Sequence, residues 1–264
     1  MKNGKEGKNL KIPLVSVIIP VYNGAKYIEK AIASALAQGI PLEIIVIDDC
    51  STDGLSEMLK KSRYWPLIHY IRNSRNQGVA ISRNRGVAAA KGKYIAYLDA
   101  DDWWRKGKLK AQMALMNARQ CVLSYTAREL MDKDGCPLKK VIGVKEKVNY
   151  KQLLYHNVIP CSSVVMKREV ALAFPMRRSD LHEDYLQWLS ILRKYDAAYG
   201  INQPFLMSCM TEGGKSRNKW KSIYMTYGVY REMGIGRIRS VWYLMWHLGN
   251  GIVKYARKGG RIQK

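Results

Sequence analysis

Short apolar runs rich in β-branched residues alternate with helix-patterned segments along the first part of this chain, and each run ends in acidic or polar residues. Val15-Ser-Val-Ile-Ile-Pro-Val-Tyr22 and Leu42-Glu-Ile-Ile-Val-Ile-Asp48 have the unbroken apolar character of strands buried on both faces. Ile68 to Arg72 is a weaker third strand and Tyr94-Ile-Ala-Tyr-Leu98 a fourth. Lys26 to Gln38 reads as a helix with Ile28, Ile32, Ala35 and Leu36 on one face, ended by Gly39 and Pro41. Leu55 to Lys61 is a second helix, for which Ser51-Thr-Asp53 supply capping residues, and alanine-rich Gly78 to Ala90 a third, stopped at Gly92. This alternation predicts an α/β fold, a mostly parallel sheet with helices on both faces. Ligands of such sheets bind beyond the carboxyl ends of the strands. Here those ends are Pro20-Val-Tyr-Asn23, Asp48-Asp49, Arg72-Asn73 and Asp99-Ala-Asp-Asp102.

The pattern past Arg105 is looser. It predicts a helix to about Arg119, a strand at Cys121 to Thr126, a turn at Asp132 to Gly135 and a strand at Ser163 to Met166. A helix at Asp184 to Lys194 and a strand near Tyr199 to Ile201 follow. No composition break precedes residue 205, so residues 14–205 read as one domain between a basic tail (1–13) and a C-terminal helical extension (206–264). Apolar residues at 47% exclude a disordered chain, and no window approaches the ~20 apolar residues of a membrane-spanning helix. The polar stretch Met1 to Lys11 is unlike a signal peptide. Five cysteines without CxxC spacing read as reduced thiols of a cytoplasmic protein.

Forty-five Lys and Arg against 21 Asp and Glu give a formal charge of +24, which attracts nucleic acid, anionic lipid or phosphorylated substrates without choosing among them. From Gly213 onward there are 12 basic residues and one acid, Glu232. Within that region Ile238 to Ala256 is rich in Trp and Tyr and is flanked by Arg237, Arg239, Arg257, Lys258 and Arg261. His247, Gly249, Asn250 and Gly251 interrupt its apolar character, so it is not expected to span a bilayer. It fits a helix lying on an anionic membrane surface. It also fits a helix packed on the domain, with its tryptophans simply core.

Chemistry concentrates in the carboxylates. In extended backbone residues i and i+2 point the same way, so Asp99 and Asp101 can converge on one ligand. Oxygen-only donors suit Mg²⁺ or Mn²⁺ with open positions for phosphates. The plainer reading is a strand-to-helix turn with Asp102 as N-cap. Asp48-Asp49 forms a second acidic strand end, and Ser51 or Asp53 is expected to cap the helix after it. Two such ends in one small sheet repel unless a cation or a donor-rich ligand lies between them. Asp184 opens an amphipathic helix, where the dipole stabilises a carboxylate and where a general base could equally stand.

In their order and spacing these segments resemble the GT-A fold, family 2 inverting glycosyltransferases, especially bacterial enzymes of surface-polysaccharide synthesis. The resemblance rests on Val15 to Gly24, Ile45 to Gly54 (Ile-Val-Ile-Asp-Asp-Cys-Ser-Thr-Asp-Gly) and Asn76 to Gly86 (Asn-Gln-Gly-Val-Ala-Ile-Ser-Arg-Asn-Arg-Gly). Gly92 to Trp103 and Glu183-Asp184 complete it, over about residues 14–194. It implies a Rossmann-like domain with a nucleotide-sugar half (about 14–104) and an acceptor half (about 105–205). It further implies that Tyr22 and Pro20 line the nucleobase pocket, with the Tyr22 ring on uracil, and that Asp49 accepts the uracil N3 proton. Arg83 would hold the base or diphosphate side, Asp99 the ribose and Asp101 the metal, with Asp184 as catalytic base. Lys215, Ser216 and Arg217 lie where similar enzymes fold a segment over the donor diphosphate; the alternative is a solvated basic loop. Cys50 stands where the family's motif has glycine, and a small geometric adjustment is expected there.

The implied reaction moves a sugar from a nucleotide sugar, a UDP-sugar, to a hydroxyl of a glycan or lipid-linked glycan. It would use Mn²⁺ or Mg²⁺ at the cytoplasmic face of a membrane, with no nucleic acid as partner. The charge also admits a nucleic-acid-binding module, although no signature of one is present. A metal-dependent nucleotidyltransferase would carry a Gly-rich, Arg-containing loop after the first strand, which Tyr22-Asn-Gly-Ala-Lys26 does not provide.

Overall fold

A computed structural model describes residues 12–210 and 219–256. The four apolar runs become parallel neighbours, β1 (Val15–Val21), β2 (Leu42–Asp48), β3 (Ile68–Arg72) and β4 (Tyr94–Tyr97), in spatial order β3-β2-β1-β4. Val15 lies opposite both Leu42 and Tyr94, which sets the register of the central pair. Every β1 residue is buried, as a strand covered on both faces requires. Alternate residues serve opposite faces. Val17, Ile19 and Val46 pack with α1 (Ile28–Leu36) and α2 (Leu55–Lys61), whereas Ile18, Ile45 and Ile47 pack with α3 (Val79–Ala89). Helix α3 approaches β1 so closely that a Cβ on Gly86 would stand 2.4 Å from Ile18 Cγ2.

After β4 come β5 (Trp103–Trp104), α4 (Lys108–Arg119), β6 (Leu123–Met131), β7 (Pro137–Ile142), β8 (Lys147–Val148) and α5 (Tyr150–Tyr155). The chain continues through β9 (Val165–Lys167), α6 (Arg168–Ala173), α7 (Glu183–Lys194) and β10 (Ala198–Cys209) to α8 (Lys219–Glu232) and α9 (Arg237–Ala256). Strand β9 runs antiparallel to both β4 and β6, and β10 parallel to β6, extending the order to β3-β2-β1-β4-β9-β6-β10-β5. The half that carries the acidic strand ends is therefore all parallel and the remainder mixed.

Strand β10 continues past residue 205, where composition suggests a boundary, because Leu206 to Cys209 keep pairing with Arg128 to Met131 of β6. Asn202-Gln-Pro204 breaks its apolar pattern and coincides with two register shifts, which is why only its first residues read as strand. The expected caps of α2 are corrected as well. That helix starts from Gly54 at φ 78° with no side-chain cap, although Asp53 Oδ1 reaches the Leu55 N–H at 3.3 Å. Asp53 Oδ2 accepts the Ala25 N–H (2.8 Å), Ser51 Oγ accepts the Asn23 N–H (3.0 Å), and Asn23 Oδ1 accepts the Thr52 N–H (2.8 Å). These side chains lace the loop after β1 to the loop after β2.

The C-terminal helices dock on α5 and α7. Tyr230 of α8 donates to the Leu154 carbonyl (2.7 Å), His247 of α9 stacks near His156 and Tyr185 (4.9 and 5.6 Å between centroids), and Tyr243 meets Tyr155 edge-on (5.3 Å). Among the described side chains of α9, this is the packed face. Ile238 is 88% exposed, Met245 67% and Trp242 56%, so the reading in which the tryptophans are simply core does not hold. No described helix is long and apolar enough to cross a membrane.

Candidate functional site at the carboxyl ends of β1, β2 and β4

From β1 the chain adds β2 and β3 on one side and returns to add β4 on the other. The gap between the carboxyl ends of β1 and β4 is thus the point where strand order reverses, the place where α/β sheets hold ligands. Pro20 sits in that gap. The Ile18 carbonyl accepts the Leu98 N–H at 3.1 Å, and Pro20, two residues on, faces the same way, past the end of β4. Its missing N–H therefore costs no ladder bond. Tyr22, just beyond, is 52% exposed over the crevice end of β1.

Beside the gap, donors within the protein engage both carboxylates of the Asp48-Asp49 pair. The buried Asp48 carboxylate accepts the Ser51 N–H (2.8 Å) and the Tyr70 hydroxyl (2.5 Å), and it pairs with Arg72 (3.2 Å). Asp49 accepts Asn73 Nδ2 (2.7 Å) and the N–H groups of Gln77 (2.9 Å) and Gly78 (2.7 Å), joining the end of β2 to the start of α3. A carboxylate has about four acceptor sites, so Asp49 keeps roughly one. Cys50 takes φ +66°, the left-handed region that glycine enters freely, so the adjustment at that position is a strained backbone angle.

On the other lip, Arg83 of α3 is buried and gathers three elements. Nη2 donates to Asp99 Oδ1 at 2.6 Å at the end of β4, and Nη1 donates to Glu183 Oε1 at 3.0 Å in the first turn of α7. Burial works against its charge, yet Cys161, Asp99 and Glu183 together keep its pKa well above the usual value. Asp184 follows Glu183, and its carboxylate accepts the Tyr185 N–H (2.7 Å). Burial and the neighbouring Glu183 raise the Asp184 pKa, against the pull of Arg83 and His182. Cys161 lies within electrostatic reach of Arg83, Asp99, Glu183 and Asp184, and burial pushes its thiol well up. The next residue, Ser162, accepts the Asp99 N–H through Oγ (3.1 Å) and Trp104 Nε1–H through its carbonyl (2.7 Å).

Asp102 does not cap a helix; α4 begins after Gly107, and Asp102 Oδ1 accepts the Cys209 N–H at 2.9 Å. Burial, then Asp101 and Asp99, push its pKa up to about 8. Asp99, Asp101 and Asp102 thus lie within electrostatic reach of one another, and carboxylate oxygens are the donors a hard divalent cation takes. Among the described residues no three acidic, histidine or cysteine side chains converge as a ready-made cage. Such an ion would take one or two carboxylates and complete its shell with substrate phosphates.

Pro20, Tyr22, Asp49, Asp99 and Asp101 lie at or just past the strand ends, Asp184 in the first turn of α7 and Arg83 within α3. Lys215, Ser216 and Arg217 fall outside the described residues. Glu183 and Ser162 are the contributors that sequence reasoning did not single out. Glu183 stands inside a quoted motif and was legible as a second acid; Ser162 has no local signal.

A family model described as Glycosyl transferase family 2 matches residues 16–171. Bacillus subtilis TuaG, named as a glycosyltransferase of teichuronic acid biosynthesis, is 37% identical over 245 residues, spanning 92% of this chain and 97% of that protein. Escherichia coli WfaP, named as a UDP-Glc:alpha-D-GlcNAc-diphosphoundecaprenol beta-1,3-glucosyltransferase, is 32% identical over 245 residues, spanning 92% and 95%. Among solved structures, S. aureus TarS in complex with UDP-GlcNAc superposes with a TM-score of 0.68 at 19% identity, over 90% of this chain and 72% of that one. That last likeness is one of fold.

Proposed function

The chain belongs to glycosyl transferase family 2, and from that premise we propose that it transfers a sugar from a UDP-sugar to a hydroxyl of a lipid-linked glycan in bacterial surface-polysaccharide synthesis. The observation that carries this reading is the Arg83 bridge, which ties the donor-side Asp99 to the helix start that bears Asp184. TuaG and WfaP, whose names give surface-polymer and diphosphoundecaprenol-linked substrates, support the substrate class. Family membership displaces both the nucleic-acid-binding and the nucleotidyltransferase readings.

In this reading Tyr22 and Pro20 form the nucleobase wall, and Asp49 offers its remaining acceptor site to the uracil N3–H. Asp99 holds the ribose while Arg83 keeps that carboxylate aimed. Asp101 would hold Mn²⁺ or Mg²⁺, and a bound ion would offset the negative charge of the leaving diphosphate, a contribution of roughly several kcal/mol. Asp184 takes the acceptor hydroxyl's proton as the oxygen attacks the anomeric carbon in line, inverting it, and no covalent sugar–enzyme intermediate forms. A base whose pKa is raised toward the working pH is the more effective for it, which is what burial and Glu183 do to Asp184. A lipid-linked acceptor makes the enzyme peripheral on the cytoplasmic face of a membrane.

The test is release of free UDP from a panel of nucleotide sugars, with Mn²⁺ and a diphospho-lipid-linked GlcNAc acceptor. Asp184→Asn is expected to lower turnover about 10²–10⁴-fold with donor affinity little changed. Near-normal turnover in that variant would remove Asp184 as the base.

A further inference from the structure

Helix α9 has two apolar faces, and the domain covers one of them. Its inner face is Tyr243, Leu244 and His247, packed toward α5, α7 and α8. Its outer face presents Ile238, Val241, Trp242, Met245 and Leu248, all exposed, at the i, i+3, i+4, i+7 spacing of one helical stripe. Leaving an aligned stripe of large apolar side chains in water forgoes roughly 25 cal/mol for each Å² that a partner would cover. Such stripes mark a surface that meets something apolar.

Charge selects the partner. Exposed Arg237 and Arg239 open the helix, and beyond Gly213 there are 12 basic residues to one acid. That acid, Glu232, is engaged by Arg178 at 3.1 Å. A second copy of a chain of charge +24 would bring like charge against like. An anionic bilayer meets both needs, apolar at the depth of Trp242 and Met245 and negative at the level of the arginines. We infer that the outer face of α9 docks in the plane of an anionic membrane.

Docking there also sets the position of the reaction, a step that rests on the lipid-linked acceptor proposed above. His247 packs against Tyr185, the residue after Asp184, with ring centroids 5.6 Å apart. The surface that grips the bilayer is thus fastened to the helix start that carries the base, holding Asp184 at a fixed height for a sugar tethered to lipid.

The experiment uses the full chain with vesicles of phosphatidylcholine containing about one third phosphatidylglycerol, with pure phosphatidylcholine as control. Cosedimentation and quenching of tryptophan fluorescence by brominated acyl chains are read. Binding to the anionic vesicles alone, weakened by salt, is expected, with quenching. Trp242→Glu/Met245→Glu should weaken it at least about tenfold, and Arg237→Gln and Arg239→Gln about fivefold each. All sit on exposed positions, so circular dichroism and thermal midpoint should not move. Equal sedimentation of wild type and the Glu pair overturns the inference. So does a lipid-free dimer that the Glu pair dissociates, which would make the face an interface between copies. Vesicle binding needs no sugar donor, so the two readings fail separately: binding without UDP release removes the functional reading, and UDP release without binding removes this one.

Discussion

Arg83→Met tests whether the bridge across the crevice is an energetic tie or a coincidence of placement. The guanidinium is buried, 2.6 Å from Asp99 and 3.0 Å from Glu183, and the Glu183 side chain is only 8% exposed. Methionine fills similar volume but takes away the guanidinium that pairs with the buried Glu183 carboxylate. Breaking one side of a buried pair costs about 3–5 kcal/mol, a large share of the ~5–15 kcal/mol that holds a typical fold. At about 2 °C per kcal/mol for a chain of this size, the thermal midpoint should fall by roughly 6–10 °C. Glu183→Gln removes the stranded charge, so Arg83→Met/Glu183→Gln should recover at least about 1.5 kcal/mol relative to the sum of the single changes. Urea unfolding followed by tryptophan fluorescence gives all four corners of the cycle. A single-variant loss below about 1 kcal/mol, or strict additivity, would refute the tie.

Glu183→Gln alone should also move the pH profile. As the proposed base, Asp184 would work only when ionised, and its pKa is raised by burial and by Glu183, so activity should fall as pH drops through that raised value. Removing the Glu183 charge lowers the Asp184 pKa, and the acid limb of kcat/KM should shift to lower pH; an unmoved or rising limb would show that Glu183 does not act on Asp184. Asp101→Asn should raise the Mn²⁺ concentration needed for half-maximal UDP release at least tenfold, titrated at fixed donor, whereas unchanged metal demand would transfer that role to Asp99 or Asp102. At Cys50, held at φ +66°, glycine relieves about 1 kcal/mol of strain and returns part of it as backbone entropy. Thermal midpoints should therefore rank Cys50→Gly at or above wild type and Cys50→Val lower by about 2–4 °C, the equivalent of about 1–2 kcal/mol.

The strands that place the site were legible because each is a short, predominantly apolar run, and their ends located the acidic residues without further help. What those residues touch was not legible. The donors that occupy Asp49 come from Asn73, Gln77 and Gly78, and nothing local distinguishes a cap from a cross-loop tie when the same Ser51 and Asp53 can make either. Arg83 and Glu183 stood in two separate motifs, but a pairing across 100 positions depends on how α3 and α7 meet over β4. The same holds for β10, whose apolar pattern breaks at Asn202-Gln-Pro204 while its pairing with β6 resumes beyond. In α9 an apolar pattern on both sides told of burial without saying by what, and only the packing of Tyr243 and His247 separated the domain-facing side from the free one.

Gly86 lies one helical turn from Arg83, at the spot where α3 rests on Ile18. The aim of the guanidinium across the crevice is therefore gauged by a missing methyl group: the helix stands as near the strand as backbone alone allows. Any side chain there would act as a shim, lifting α3 and with it the cation that joins Asp99 to Glu183. Alignment of those two carboxylates is then a property of the scaffold's closest contact, written at a position that itself carries no chemistry.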